Sequence, residues 1–135
     1  MDPTPAILDY KKTILVVDDD PVVLKYVSEL LANTQYRILI ANNPREALQQ
    51  SADCTGKIDV LLSDFQMEGM TGVDLATKIC KERPEVKVLL MSGFTDGMLV
   101  LNAGWHYLTK PFVPSQLRAL VAGLLYPDKD FKFTA

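Results

Sequence analysis

Asp18-Asp19-Asp20, Asp64, Ser92-Gly93 and Lys110-Pro111 each close a run of apolar residues. Carboxylates crowded together repel one another, and either a raised pKa or a bound cation relieves the repulsion. An all-oxygen set suits a hard divalent ion, and Mg2+ typically takes one or two carboxylates, keeps several waters and shares a phosphate. Asp64 closes a second apolar run far along the chain from Asp19, where a plain turn requires no acid. One carboxylate among metal-holding acids can act as a nucleophile, since an aspartyl phosphate is a known covalent intermediate. Lys110, a compact cation with rotatable donors, suits a phosphate oxygen or the acid that becomes phosphorylated. A cis bond before Pro111 would aim its amine inward. Ser92 adds a hydroxyl, and Gly93 leaves its backbone amide open to a phosphate. Each has a plainer use. The three consecutive acids make a polar turn and helix cap, which is the preferred reading for Asp20, and a single lysine commonly snorkels at the surface.

These residues gather only if the runs before them are parallel strands. Residues 13 to 17 (TILVV) are apolar and β-branched with almost no alternation, as in a strand covered on both faces. Asp20-Pro21 then supplies a helix cap and first residue, with Val23, Val27, Leu30 and Leu31 on one face. Residues 36 to 41 (YRILIA) make a second strand, and Asn43-Pro44-Arg45-Glu46 opens a second helix. Residues 58 to 63 (IDVLLS) make a third strand, a loop follows from Phe65 to Gly72, and a helix carries Val73, Ala76, Ile79 and Cys80 until Pro84 stops it. Residues 86 to 91 (VKVLLM) form the fourth strand, 95 to about 102 a short helical stretch, and 105 to 108 the fifth strand. The last helix opens near Pro114 and buries Leu117, Leu120, Val121 and Leu124. Five strands alternating with five helices require right-handed crossovers, hence a parallel sheet with helices on both faces. Ligands of such sheets bind beyond the carboxyl ends of the strands, where Asp18, Asp19, Asp64, Ser92 and Lys110 all lie.

A chain of 135 residues is one domain. Residues 1 to 11 read as an N-terminal extension, 12 to 126 as the domain and 127 to 135 as a C-terminal tail. Net charge is -3 and basic residues do not run together, which argues against a nucleic-acid surface. The apolar runs fall short of the roughly 20 residues a membrane span needs, and residues 1 to 10 lack a secretory signal pattern. A cytoplasmic location is expected. Cys54 and Cys80 have neither the spacing of a metal site nor the number for a disulfide framework.

As an ordered set, ILVVDDDP, LLSDFQMEGMTG, VLLMSG and YLTKPF resemble the CheY-like receiver domains of two-component response regulators, from about Thr13 to Leu125. The resemblance implies a flavodoxin-like, doubly wound sheet of strand order 2-1-3-4-5. It implies that Asp64 is the phosphoacceptor, that Asp19 and Asp64 hold Mg2+ with the backbone carbonyl of Gln66, and that Asp18 acts on the metal largely through water. Ser92 and Lys110 would contact the phosphoryl group, and Tyr107 would be the switch aromatic. The implied donor is a histidine kinase or a histidine phosphotransfer protein. The downstream effector is not named by any of these residues.

The chain also departs from that family. Glu68-Gly69 stands where many receivers carry a proline, so a more mobile or more acidic loop is expected after Asp64. Gln66 and Phe94 occupy the positions that tune hydrolysis in the family, and a bulky Phe94 predicts slow self-dephosphorylation. The connection from Ser92 to Lys110 is shorter than in the commonest receivers, so the fourth helix is expected to be short or irregular. That helix belongs to a face through which many receivers dimerise, and a homodimer stays an open expectation. Trp105 and His106, beside it, read as an exposed edge pair or a partner surface. Two other readings compete with the signalling module. A Mg2+-dependent phosphatase or phosphotransferase using Asp64 would need a general acid and an enclosing cap. A flavin-binding protein would need a phosphate cradle where this chain has acids.

Overall fold

The apolar runs pair side by side, all in one direction. In the computed structural model, which describes residues 11–32, 35–93 and 104–127, the elements alternate from strand to helix. They are β1 (Lys12–Val17), α1 (Pro21–Leu31), β2 (Tyr36–Ala41), α2 (Pro44–Asp53), β3 (Val60–Asp64), α3 (Gly72–Glu82), β4 (Lys87–Ser92), β5 (His106–Thr109) and α4 (Pro114–Leu125). The sheet is parallel throughout, in the order β2-β1-β3-β4-β5. This is the doubly wound arrangement expected of the alternation. Four helices lie among the described residues; the short helix expected over 95 to 102, and Phe94, lie outside them. Among the described residues no helix is long and apolar enough to cross a membrane. β3 begins at Val60 rather than Ile58, because Asp59 turns its carboxylate back to accept from the backbone N–H of Thr13 at 2.8 Å.

Lack of alternation in the central strands reflects burial on both faces. Ile14, Val16, Val60, Leu62, Leu89 and Met91 face α1 and α4, packing on Leu24, Val27, Leu117 and Val121. Their neighbours Leu15, Val17, Leu61, Val88 and Leu90 face α2 and α3, packing on Ala47, Leu75, Ala76 and Ile79. Leu61, Leu62, Leu89 and Leu90 are fully buried, and truncating such a leucine to alanine costs about 2–5 kcal/mol.

Local caps fix where the helices begin. Asp20 Oδ1 accepts from Val22 N at 2.9 Å with Pro21 as the first helical residue. Asn43 Oδ1 accepts from Glu46 N at 2.7 Å while Glu46 Oε1 accepts from Asn42 N at 2.8 Å, a reciprocal arrangement that satisfies two helix-end donors. At the far end of α3, Arg83 reaches over to α2. It donates to Ser51 Oγ at 3.1 Å and to the carbonyls of Ser51, Cys54 and Gly56 at 2.9, 2.9 and 2.7 Å, which supplies partners where a helix end leaves carbonyls unsatisfied.

Candidate functional site

Strand register brings the chemistry-bearing residues to one edge. Val17 lies beside Ser63, Asp64 beside Met91 and Ser92 beside Thr109. The residue after each strand end therefore emerges at the same level. Asp18, Asp19 and Asp64 each present an oxygen, and these oxygens lie within 4.8 Å of one another. Lys110 Nζ donates to Asp64 Oδ1 at 3.0 Å and stands 3.5 Å from Asp18 Oδ2. The bond between Lys110 and Pro111 is cis.

Asp18 is the buried member of the set, only 1% exposed. Its Oδ1 accepts from Asp20 N at 2.9 Å, while its Oδ2 has the ion-pair contact to Lys110 without a hydrogen bond. Burial raises its pKa; the Asp20 amide opposes this, the charge of Asp64 adds to it, and Lys110 opposes it, leaving the value above that of a free aspartate. Burial pulls the Lys110 ammonium down, but the hydrogen bond to Asp64 and the charges of Asp18 and Asp64 outweigh it and leave its pKa raised. Three acids against one ammonium leave the site short of positive charge. A buried carboxylate oxygen without a hydrogen bond, beside two further carboxylates, fits a hard divalent cation held by oxygen.

The remaining candidates fall around this centre. Ser92, 6% exposed, ends β4, and its carbonyl accepts from Lys110 N at 2.7 Å, tying the two strand ends together. Tyr107 is half-buried on β5 and packs on the core facing α2 and α3, and its buried hydroxyl has no hydrogen-bond partner among the described residues. Burial raises its pKa. Gln66 is exposed in the loop two residues after Asp64. Trp105 and His106 are half-buried rather than exposed, because Trp105 packs on the same core as Tyr107.

Two members of the site carry no chemical signature in the sequence. Gly72 opens α3 directly against the backbone of Asp64, so that a Cβ there would collide with the Asp64 carbonyl oxygen. Its only sequence trace is a glycine at a first helical position, after the Thr71 cap whose Oγ1 accepts from Asp74 N at 3.0 Å. The backbone amide of Glu68 donates to Asp19 Oδ2 at 3.2 Å, and nothing in the type of residue 68 announces it.

Fold and site together describe a CheY-like doubly wound domain with an acidic, lysine-braced pocket at the carboxyl edge of its sheet. Residues 14–122 match the model of the response regulator receiver domain. The putative two-component response regulator ARR21 of Arabidopsis thaliana is 31% identical over 126 residues, covering 92% of this chain and 21% of that protein. A CheY-like receiver domain from Methanospirillum hungatei superposes with a TM-score of 0.77 at 29% identity, covering 87% of this chain and 95% of that one. The response regulator protein TrrA from Thermotoga maritima, in complex with Mg2+-BeF, does so with a TM-score of 0.73 at 31% identity, covering 84% and 98%. The chain belongs to the receiver domain family of two-component response regulators, which are phosphorylation-dependent signalling modules. It spans about a fifth of the length of ARR21. Membership does not favour the small-substrate phosphatase reading.

Proposed function

We propose that Asp64 accepts a phosphoryl group from a phosphohistidine of a histidine kinase or histidine phosphotransfer protein, and that the chain is a substrate and switch rather than an enzyme with a free substrate. The observation that carries this reading is the placement of Asp64 between two further acids and the Lys110 ammonium. Lys110 engages Oδ1, which leaves Oδ2 to attack phosphorus. The Oδ2–P bond forms as the N–P bond to the donor imidazole breaks, and the imidazole keeps the electron pair. Asp18, Asp19 and Asp64, with the backbone carbonyl of Gln66, would hold Mg2+. The bound ion would offset negative charge as the phosphoryl group arrives.

Once Asp64 carries the phosphoryl group as an acyl phosphate, the Lys110 ammonium and the Ser92 hydroxyl would read the new oxygens; the bond from Lys110 N to the Ser92 carbonyl, which joins the two strand ends, supports this reading. Tyr107, two strand positions from the pair Ser92–Thr109, would follow that change through its hydroxyl, which is without a hydrogen-bond partner among the described residues. Phosphorylation then favours whichever conformation interacts better with the modified site.

The test is incubation with Mg2+ and a small phosphodonor, followed by mapping of the modified residue. Label on Asp64 that is absent in Asp64→Asn supports the reading. Label elsewhere, or turnover of many donor molecules per chain without a stable adduct, refutes it.

A further inference from the structure

Asp19 sits exposed on the loop after β1, where a carboxylate has several rotamers to choose from and ordering it costs entropy. One contact limits that choice. The backbone N–H of Glu68 donates to Asp19 Oδ2 at 3.2 Å, joining loops 49 residues apart in sequence. The donor is itself held. The loop carrying it is pinned at its start by Phe65 N to Met91 O at 2.7 Å and closed at its end by Gly72 N to Phe65 O at 2.8 Å. Residue 68 is therefore presented from a loop anchored on β4 and on itself.

We propose that the Glu68 backbone amide is a positioning group, which orients Asp19 for a divalent cation and couples cation binding to the loop between β3 and α3. This rests on the reading of Asp19 as a metal ligand. An amide donating to a carboxylate makes a charge-assisted bond, and partners that hold a ligating carboxylate in place typically carry about 10- to 100-fold of metal affinity. The device belongs to the backbone, so any residue except proline supplies it. Glu68 standing where many receivers carry proline is then a gain of function for the main chain, whatever its side chain does. Movement of Asp19 toward or away from a cation would be felt by Glu68, Gly69 and Met70, which line an open groove with Pro44, Arg45 and Leu48 of α2.

The experiment is an Mg2+ titration of the 15N-labelled chain followed by amide NMR, with no phosphodonor present. Glu68→Ala keeps the N–H and removes the charge; Glu68→Pro removes both. Glu68→Pro should bind Mg2+ about tenfold more weakly than Glu68→Ala; equal affinities overturn the proposal. Asp19→Asn separates the two readings. If it binds Mg2+ as well as the unmodified chain, the metal-ligand role of Asp19 fails and the proposal with it. If Glu68→Pro does not fold, hydrogen exchange decides. Protection of the Glu68 amide in the unmodified chain that is lost in Asp19→Ala supports the tether, and an unprotected amide refutes it.

Discussion

Gly72→Ala tests the join between fold and chemistry at a position that carries no functional group. A Cβ on Gly72 would press on the Asp64 carbonyl oxygen and stand 3.2 Å from Asp64 C and from Leu90 Cδ2. Two of these neighbours are backbone atoms of a strand buried on both faces, and the third is a fully buried side chain. None can swing aside as a flexible side chain would. Relief requires a displacement of about 1 Å in either α3 or the end of β3 to restore ordinary contact distance. Overpacking of this kind costs about 1–3 kcal/mol, and the better helix propensity of alanine offsets at most about 1 kcal/mol of it. The severity of the contact puts the cost in the upper part of that range, about 2–3 kcal/mol, so that about 1–2 kcal/mol remains after the offset; at about 4 °C per kcal/mol for a domain of this size, the melting temperature should fall by about 4–8 °C. A displacement of the end of β3 would disturb the 3.0 Å bond from Lys110 to Asp64. Phosphorylation by a small donor should therefore slow by more than the loss of folded protein explains, read as initial rate per folded chain well below the transition. A variant as stable as the parent, with the same rate, would show that the contact is not a constraint.

Asp18→Asn should stabilise the Mg2+-free domain at neutral pH while weakening Mg2+ binding. Burial raises the Asp18 pKa above the ordinary 3.8, so its contribution to stability is fully present below 3.8 and lost as pH rises through the folded-state value. Denaturant melts should thus show a gain that shrinks at acid pH, and a gain independent of pH would contradict this origin. Lys110→Met removes the ammonium from between Asp18 and Asp64, so Mg2+ affinity measured by titration should rise by a factor of about ten, as one fewer neighbouring cation allows; a fall would mean that Lys110 organises the acids more than it competes with the ion. Arg83→Ala strips four hydrogen bonds from Ser51, Cys54 and Gly56 and should destabilise by about 2–3 kcal/mol. Arg83→Lys should recover little of this, because an ammonium cannot span the same fork of acceptors; full recovery in urea melts would argue against the fan.

Features that act over a few residues were legible in the chain itself. The unalternating runs before Asp18, Asp64 and Ser92 specify strands buried on both faces, and the caps at Asp20 and Asn43 work within four positions of the helices they open. The pocket was legible for a related reason. Parallel strands must return their carboxyl ends to one edge, so reactive residues that follow successive strands meet there. What stayed hidden runs through the main chain or across long separations. The approach of Gly72 to Asp64, the Glu68 amide on Asp19 and the reach of Arg83 to α2 depend on where two loops come to lie. None is encoded by a residue type with one obvious use. Trp105 reads as exposed because it stands at the start of an edge strand, and only the packing of its ring on the core makes it half-buried.

Lys12 lies over Tyr126, with Nζ 5.5 Å from the ring centroid, and so joins the two ends of the folded core. This contact places the entrance to β1 and the exit from α4 side by side at the amino edge of the sheet. At about 3.3 Å per residue, the six residues of β1 separate that exit from the acids by about 20 Å. The described chain therefore enters β1 and leaves α4 at the edge of the sheet away from the acids, so neither Lys12 nor Tyr126 stands at the pocket mouth. The two ends of the folded core are thus kept apart from its chemistry by the length of a strand.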